Sequence, residues 1–198
     1  IHSTFNMDSH DQFRIDYPFH HFSRYDVRKQ IDKHTELLLP LSDVCCQISD
    51  SLSPAKELPD QTILYTGLAE IEQNSDLMYQ VETATNSLKS YVKGYCRDDI
   101  LFSRMRPYLR KCSKSNFDSF GYCSAECIVL RVNKINNSYI IDPDLLSAIL
   151  RSDFVYGQIV HLVSGIGRPR ISSKELMKVM IPIPISSNSQ LAKKRYHD

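Results

Sequence analysis

The residues best suited to binding an anion lie between Asp98 and Lys114, DDILFSRMRPYLRKCSK, where Arg104, Arg106, Arg110, Lys111 and Lys114 follow the apolar Ile100, Leu101 and Phe102. Guanidinium and ammonium groups at this density suit phosphate oxygens, which they hold by charge and, for arginine, by paired hydrogen bonds. In an extended strand alternate side chains share a face, so Arg104, Arg106 and Tyr108 are expected to project together. Pro107 then limits the segment to a sheet edge or a bend. The same pattern also describes a solvated edge strand guarded by charge, and Arg104 or Arg106 could instead fold back onto Asp98 or Asp99.

Two further stretches carry chemistry. In Gly165 to Ser172, Gly167 permits a tight turn and Arg168 and Arg170 flank Pro169, with Lys174 close by. Such a stiffened loop either approaches an anionic ligand or uses Arg170 to tie the last strand to the core. Between Leu68 and Val92, Gln73, Asn74, Gln80, Thr83, Thr85, Asn86, Ser87 and Lys89 supply amides, hydroxyls and a cation of the kind that base edges accept. Amide-rich loops are also commonly just solvated.

Other chemistries find little support. The six cysteines, Cys45, Cys46, Cys96, Cys112, Cys123 and Cys127, lack the paired Cys-x-x-Cys spacing of a structural zinc site, and adjacent Cys45 and Cys46 suit a disulfide badly. They read as reduced, mostly buried thiols, with Cys123 and Cys127 packed on one face of a strand. His20 and His21 have no carboxylate and nucleophile at catalytic spacing. A P-loop and a methyltransferase's glycine-rich cofactor loop with its proline-proline-aromatic motif are both missing, and six glycines leave no phosphate-cradling loop. Pro143-Asp144 lacks the acid-x-lysine element of a nuclease. No catalytic residue, metal or cofactor is expected.

The elements that must position the basic groups follow from pattern. A chain of 198 residues, 42% hydrophobic and 24% charged, suits one sizeable core. Tyr25 to Leu39 reads as a helix with Val27, Ile31, His34 and Leu38 along a stripe, closed by Pro40. Strands are expected at Leu41 to Ile48, Thr62 to Thr66, Asp99 to Ser103, Tyr108 to Lys111 and Tyr122 to Val132, while Tyr79 to Val92 alternates ambiguously. Asp142 caps a helix that begins at Pro143 and runs to about Arg151, and Ser152 opens a second to about Val163. A short helix from Ser173 to Met177 leads to a strand from Val179 to Ile185, confined to an edge by Pro182 and Pro184. The fold class is therefore α+β, with a few helices packed on strands.

The net charge of +1 conceals a separation along the chain. From Glu36 to Glu82 nine acids face Lys56 alone, whereas from Lys89 to Lys114 eight bases face Asp98 and Asp99. A basic zone in a near-neutral protein is the footprint expected when one face meets nucleic acid and another meets protein. No apolar run approaches a membrane span, and the N-terminus lacks the features of a signal peptide, so a cytoplasmic location and no membrane partner are expected.

DDILFSRMRPYLRK resembles the signature of specificity subunits of type I restriction-modification systems, a glycine-aspartate-isoleucine-leucine-phenylalanine-serine strand followed by a basic-hydrophobic-Arg-Pro-Tyr-Leu-Arg-Lys run. Here Asp98 stands in place of the glycine. Four more matches fall in the family's order: Tyr65-Thr66-Gly67-Leu68-Ala69-Glu70-Ile71, the run from Gly121 to Arg131, Gly167-Arg168-Pro169-Arg170-Ile171-Ser172, and Ile181-Pro182-Ile183-Pro184. Together they cover about residues 37 to 185.

The resemblance implies a mixed, partly barrel-like β-sheet and a target recognition domain at 37–185. Residues 1–36 would form a lead-in with a helix, and 186–198 the start of a spacer or tail. Double-stranded DNA and methyltransferase subunits are the implied partners, with a restriction subunit possible in the same complex. On this reading Lys89, Arg104, Arg106, Tyr108, Arg110, Lys111, Lys114, Arg168, Arg170 and Lys174 contact DNA, and Gln73, Asn74, Gln80 and Asn86 are candidates for reading bases. The long spacer helix of the family is missing or only begun at Ser189 to Tyr196, as in half a subunit or a fragment. Two alternatives stay open: the recognition region of a fused methyltransferase or restriction-methylation enzyme, and a scaffold that reads no bases.

Overall fold

The computed structural model describes residues 37–135 and 138–183. The aromatic lead-in, most of the expected helix from Tyr25, and the tail beyond Ile183 lie outside them. The last residues of that expected helix form a strand instead: β1 (Leu37–Pro40) pairs antiparallel with β13 (Met180–Ile183), Leu39 opposite Ile181. Both of those side chains are fully buried, and strand pairing delivers them to one face together. Pro182 sits in this two-stranded ribbon, where a missing donor is tolerated.

Two larger sheets carry the remaining architecture. One has the order β2-β10-β7-β8, built from Cys45–Ile48, Cys127–Val132, Ile100–Ser103 and Cys112–Lys114, all antiparallel. The other has the order β3-β6-β9-β4-β5, built from Ser51–Leu52, Val92–Tyr95, Gly121–Ser124, Thr62–Thr66 and Val81–Ala84. It is mixed, because β4 and β9 run parallel. A small ribbon joins β11 (Lys134–Ile135) to β12 (Ser138–Tyr139). The fold is α+β as expected, but no sheet closes among the described residues, so the barrel-like element of that expectation is not supported. The β8 edge is covered by a helix rather than a strand: Arg151 donates to the Cys112 carbonyl at 2.7 Å and Lys114 reaches Asp144 at 2.9 Å.

That helix is α3 (Pro143–Arg151), preceded by the single turns α1 (Leu41–Val44) and α2 (Pro54–Glu57). Its start follows the expected chemistry, with the Asp142 carboxylate accepting from the Asp144 and Leu145 N–H groups at 2.9 and 3.2 Å. α4 (Asp153–Ile159) is capped by Ser152 and ends short of the expected Val163, while α5 (Ser173–Leu176) is capped by Ser172.

The four-stranded sheet is buried on both faces. Ile100 and Phe102 turn toward a core with Leu39, Ile128, Leu130, Leu146, Leu150, Ile171, Leu176 and Ile181, whereas Leu101 and Val129 turn toward a second core with Ile71, Met78, Tyr95, Cys123 and Cys127. A strand with apolar neighbours on both sides needs a continuous apolar run, which is what Ile100-Leu101-Phe102 supplies. The strand expected from Tyr122 to Val132 breaks at Ala125-Glu126 into β9 and β10, so Cys123 and Cys127 share a core from two different strands. The Cys123 hydrogen bond and burial hold the Cys127 thiol well above its ordinary pKa, and burial pushes Cys45 and Cys112 up to about 12. Thiols so raised stay protonated and apolar in behaviour.

The basic run does not form an extended comb. β7 is an inner strand that stops at Ser103, and the chain then bends through a 3₁₀ turn at Pro107–Leu109. Arg106 and Arg110 bracket that turn in left-handed conformations, φ 49° and 51°. The strand expected at Tyr108 to Lys111 therefore begins only at Cys112. Left-handed residues at both ends of a turn reverse the side-chain alternation on which the comb depended. The first part of the expected strand from Leu41 is likewise a helical turn, α1, before β2.

Candidate nucleic-acid interface

Bending the chain after Ser103 sorts the basic residues into two groups. Arg110 is drawn inward: its guanidinium pairs with Asp153, donates to the Arg151 carbonyl at 3.4 Å and lies 5.0 Å above the Tyr156 ring. Lys111 donates to the Leu68 carbonyl at 2.6 Å. Lys114 lies between Asp144 at 2.9 Å and Asp98 at 3.6 Å. Burial opposes the Lys114 charge, but the hydrogen bonds and charges of Asp144 and Asp98 outweigh it and raise the ammonium above its ordinary pKa. Neither Arg104 nor Arg106 is paired with Asp98 or Asp99. Asp98 takes Lys114, and Asp99 takes Arg131, with both Nε and Nη2 at 2.7 Å.

The second group makes no ion pair among the described residues. Arg104 takes up both backbone hydrogen bonds, donating to the Glu126 carbonyl and accepting from Ile171 N–H at 3.0 Å each, while its side-chain Nε is buried without a hydrogen-bond partner among the described residues. Arg106 is exposed, and its N–H donates to the Pro169 carbonyl at 2.7 Å. That bond, with the bridge between Met105 and Arg170, lays the segment 104–106 directly against the Gly165 to Ser172 loop. Arg168 in the loop and Lys174 in α5 are exposed, and neither makes an ion pair among the described residues. These backbone bonds set the segment carrying Arg104 and Arg106 against the loop carrying Arg168, with Lys174 following three residues after Ile171 and half-exposed Tyr108 following in the 3₁₀ turn.

Arg170 behaves differently from its neighbours. It grips Glu126 through Nε at 3.1 and 2.9 Å and Nη2 at 2.6 Å, tying the loop to the turn between β9 and β10. Arg170 hydrogen bonding outweighs the burial of Glu126 and, aided by the charges of Arg104 and Lys93, holds its carboxyl below the ordinary 4.5. A depressed carboxylate pKa contributes stability that is complete above the ordinary value and is lost as pH falls through the folded one. Arg170→Ala is accordingly expected to lower the melting temperature at neutral pH, and the gap from the unaltered protein should narrow below about pH 4.5. Thermal melts of both proteins across pH check this; a gap that stays constant into acid would remove the ion pair as its source.

The amide-bearing residues also separate. Gln73 and Asn74 are exposed at the tip of a hairpin closed by Glu72 N–H to the Leu77 carbonyl at 3.0 Å and by the bridge between Ile71 and Met78, with Asn74 at φ 51°. Asparagine tolerates that conformation better than most residues. Gln80 is instead held from two sides, donating to the Tyr95 hydroxyl at 3.1 Å and accepting from Ser119 at 3.0 Å. Asn86, in a 3₁₀ turn at Thr85–Ser87, and Lys89 are exposed at the other end of β5 from the hairpin.

The hairpin is joined to a second loop. The Gln80–Ser119 bond and the Ser113 hydroxyl bonded to the Asp76 carbonyl fasten the loop between Ser113 and Gly121 to the hairpin. Lys111 on Leu68 connects this pair to the basic segment. Neither Glu126 as a partner nor Ile166, which is fully exposed at the loop tip, stands out in the sequence. Glu126 lies in the run from Gly121 to Arg131, but an ion pair to a residue 44 positions along the chain leaves no local signal.

No family model matches the chain, and no curated protein does. Among solved structures, a chain from work on complex assembly and conformational transition of the type I R-M system matches with TM-score 0.63 and 20% identity, over 83% of this chain and 42% of that one. The HsdS subunit from Thermoanaerobacter tengcongensis matches with TM-score 0.62 and 20% identity, over 81% of this chain and 41% of that one. The chain shares their fold and spans about two-fifths of their length.

Proposed function

We propose that residues 37–185 form a target recognition domain of a type I restriction-modification specificity subunit, which selects the DNA sequence at which a partner adenine methyltransferase and, through it, a restriction subunit act. The observation that carries this reading is the backbone contact that sets Arg104 and Arg106 against the Arg168 loop, with neither these three nor Lys174 in an ion pair among the described residues, while Lys111 on the Leu68 carbonyl links the same basic run to the segment that leads into the amide-bearing hairpin. The five ordered motifs and the fold shared with the HsdS subunit point to the same family.

In mechanism, these cations hold phosphates and set the register of the duplex, while Gln73 and Asn74 supply the contacts that discriminate bases. Arg110, Lys111, Lys114 and Arg170 act one step back, fixing the segments that carry those groups. Gln80 serves the same positioning role between hairpin and loop. The domain itself performs no reaction; chemistry belongs to the partner subunits.

Selection from a random pool of duplexes, with the native chain and its methyltransferase present, tests the reading. Enrichment of one defined half-site is the expected result. Retention of all sequences alike would favour a scaffold, and a native reading frame with methyltransferase motifs upstream would favour the fused enzyme.

A further inference from the structure

We propose that Ile166 is an apolar wedge that enters the minor groove of the recognised duplex and parts one base step. The inference rests on the DNA-reading function above and names a contact that function does not specify. Ile166 is 107% exposed, whereas the other exposed large apolar side chains among the described residues lie between 39% and 59%. A single exposed apolar residue is common in itself. What distinguishes this one is its mounting and its surroundings.

The mounting is closed at its neck and braced at its base. Ser164 and Arg170 exchange both backbone hydrogen bonds, at 2.9 and 2.7 Å, and close the loop at its neck. Gly165 at φ 103° and Gly167 at φ 77° adopt conformations that side chains resist, so the chain reverses within two residues and leaves Ile166 alone at the tip. The Arg106 N–H on the Pro169 carbonyl and the Arg170 grip on Glu126 brace the base. Unstacking a base step costs a few kcal/mol, and a loop without such bracing would yield instead of pushing.

The surroundings select the occupant. Arg168 in the loop and Arg106 beside it are exposed, half-buried Arg104 is bonded through its backbone to Ile171, and none of the three is held in an ion pair among the described residues. An apolar tip within a cationic rim complements an apolar base stack flanked by phosphates, and isoleucine is among the side chains that wedge into base steps from the minor groove. An apolar pocket on a protein partner would meet this rim only with acidic residues of its own.

The test uses the native chain with its methyltransferase and short duplexes carrying the selected site, with 2-aminopurine placed step by step across it. Unstacking raises its fluorescence, and the methylated adenine is left out because its own flipping gives the same signal. A rise at one step is expected with the unaltered chain. Ile166→Ala should abolish that rise and weaken binding about tenfold, Ile166→Leu should keep both, and the salt slope should not change because no cation is removed. The wedge alone is overturned if the duplex is bound without any rise, or if Ile166→Ala leaves rise and affinity intact. It is equally overturned if Ile166→Ala weakens methyltransferase assembly while duplex unstacking persists. Failure of the unaltered chain to retain the selected duplex overturns the DNA-reading function, and the wedge with it.

Discussion

Arg131→Ala should destabilise the fold by about 3–5 kcal/mol, because it strands a buried carboxylate. Asp99 is 1% exposed, and its two oxygens are met by Arg131 and by the Cys96 N–H at 2.8 Å. The hydrogen bond from Arg131 to Asp99, together with the charge of Asp99, overcomes desolvation and raises the Arg131 guanidinium further above its ordinary pKa. The asymmetry of the pair sharpens the expectation. Arg131 is 47% exposed and can turn to water if its partner is lost, whereas Asp99 cannot. Asp99→Asn should therefore cost less, about 1–3 kcal/mol from hydrogen bonds left imperfectly made. Urea unfolding of both variants measures the two values, and equal costs would refute the burial argument.

The second large effect is on DNA. Replacing Arg106 and Arg168 together by alanine should reduce the slope of log affinity against log salt by about 1.8, near 0.9 for each phosphate released. Affinity should fall about tenfold or more at moderate salt for every sequence alike, since phosphate contacts carry no base information. Replacing Arg110 and Lys111 is the contrasting experiment. Their head groups are occupied by Asp153, the Arg151 carbonyl and the Leu68 carbonyl, so stability should fall while the slope changes little. Binding isotherms at several salt concentrations decide between the two pairs. A slope that responds to Arg110 and Lys111 but not to Arg106 and Arg168 would reverse the division of roles.

This division was only partly legible in the sequence. Thr62–Thr66 and the Asp142-capped helix from Pro143 appear where local pattern puts them, because alternation and capping are local signals. The basic run misled for a physical reason: nothing in Arg106 or Arg110 announces a left-handed backbone, which asparagine or glycine would have done. Leu37 to Leu39 looked like the end of a helix because their partner, β13, lies far along the chain. Charge type marks candidate residues in the sequence, but charge pairing is a property of the fold. Arg168 and Arg170 are two residues apart, and only tertiary contact with Glu126 separates the unpaired one from the fixed one.

On the proposed function, this domain chooses the sequence to be methylated through the hairpin and its adjoining strand. Exchanging residues 72–89 for the matching segment of a relative with a different target, then mapping methylated adenines genome-wide with the methyltransferase supplied, tests that choice most directly. Methylation is expected to move to the relative's site. Methylation that remains at the original site would contradict the assignment and place recognition elsewhere, with the loop between Ser113 and Gly121 the next segment to exchange.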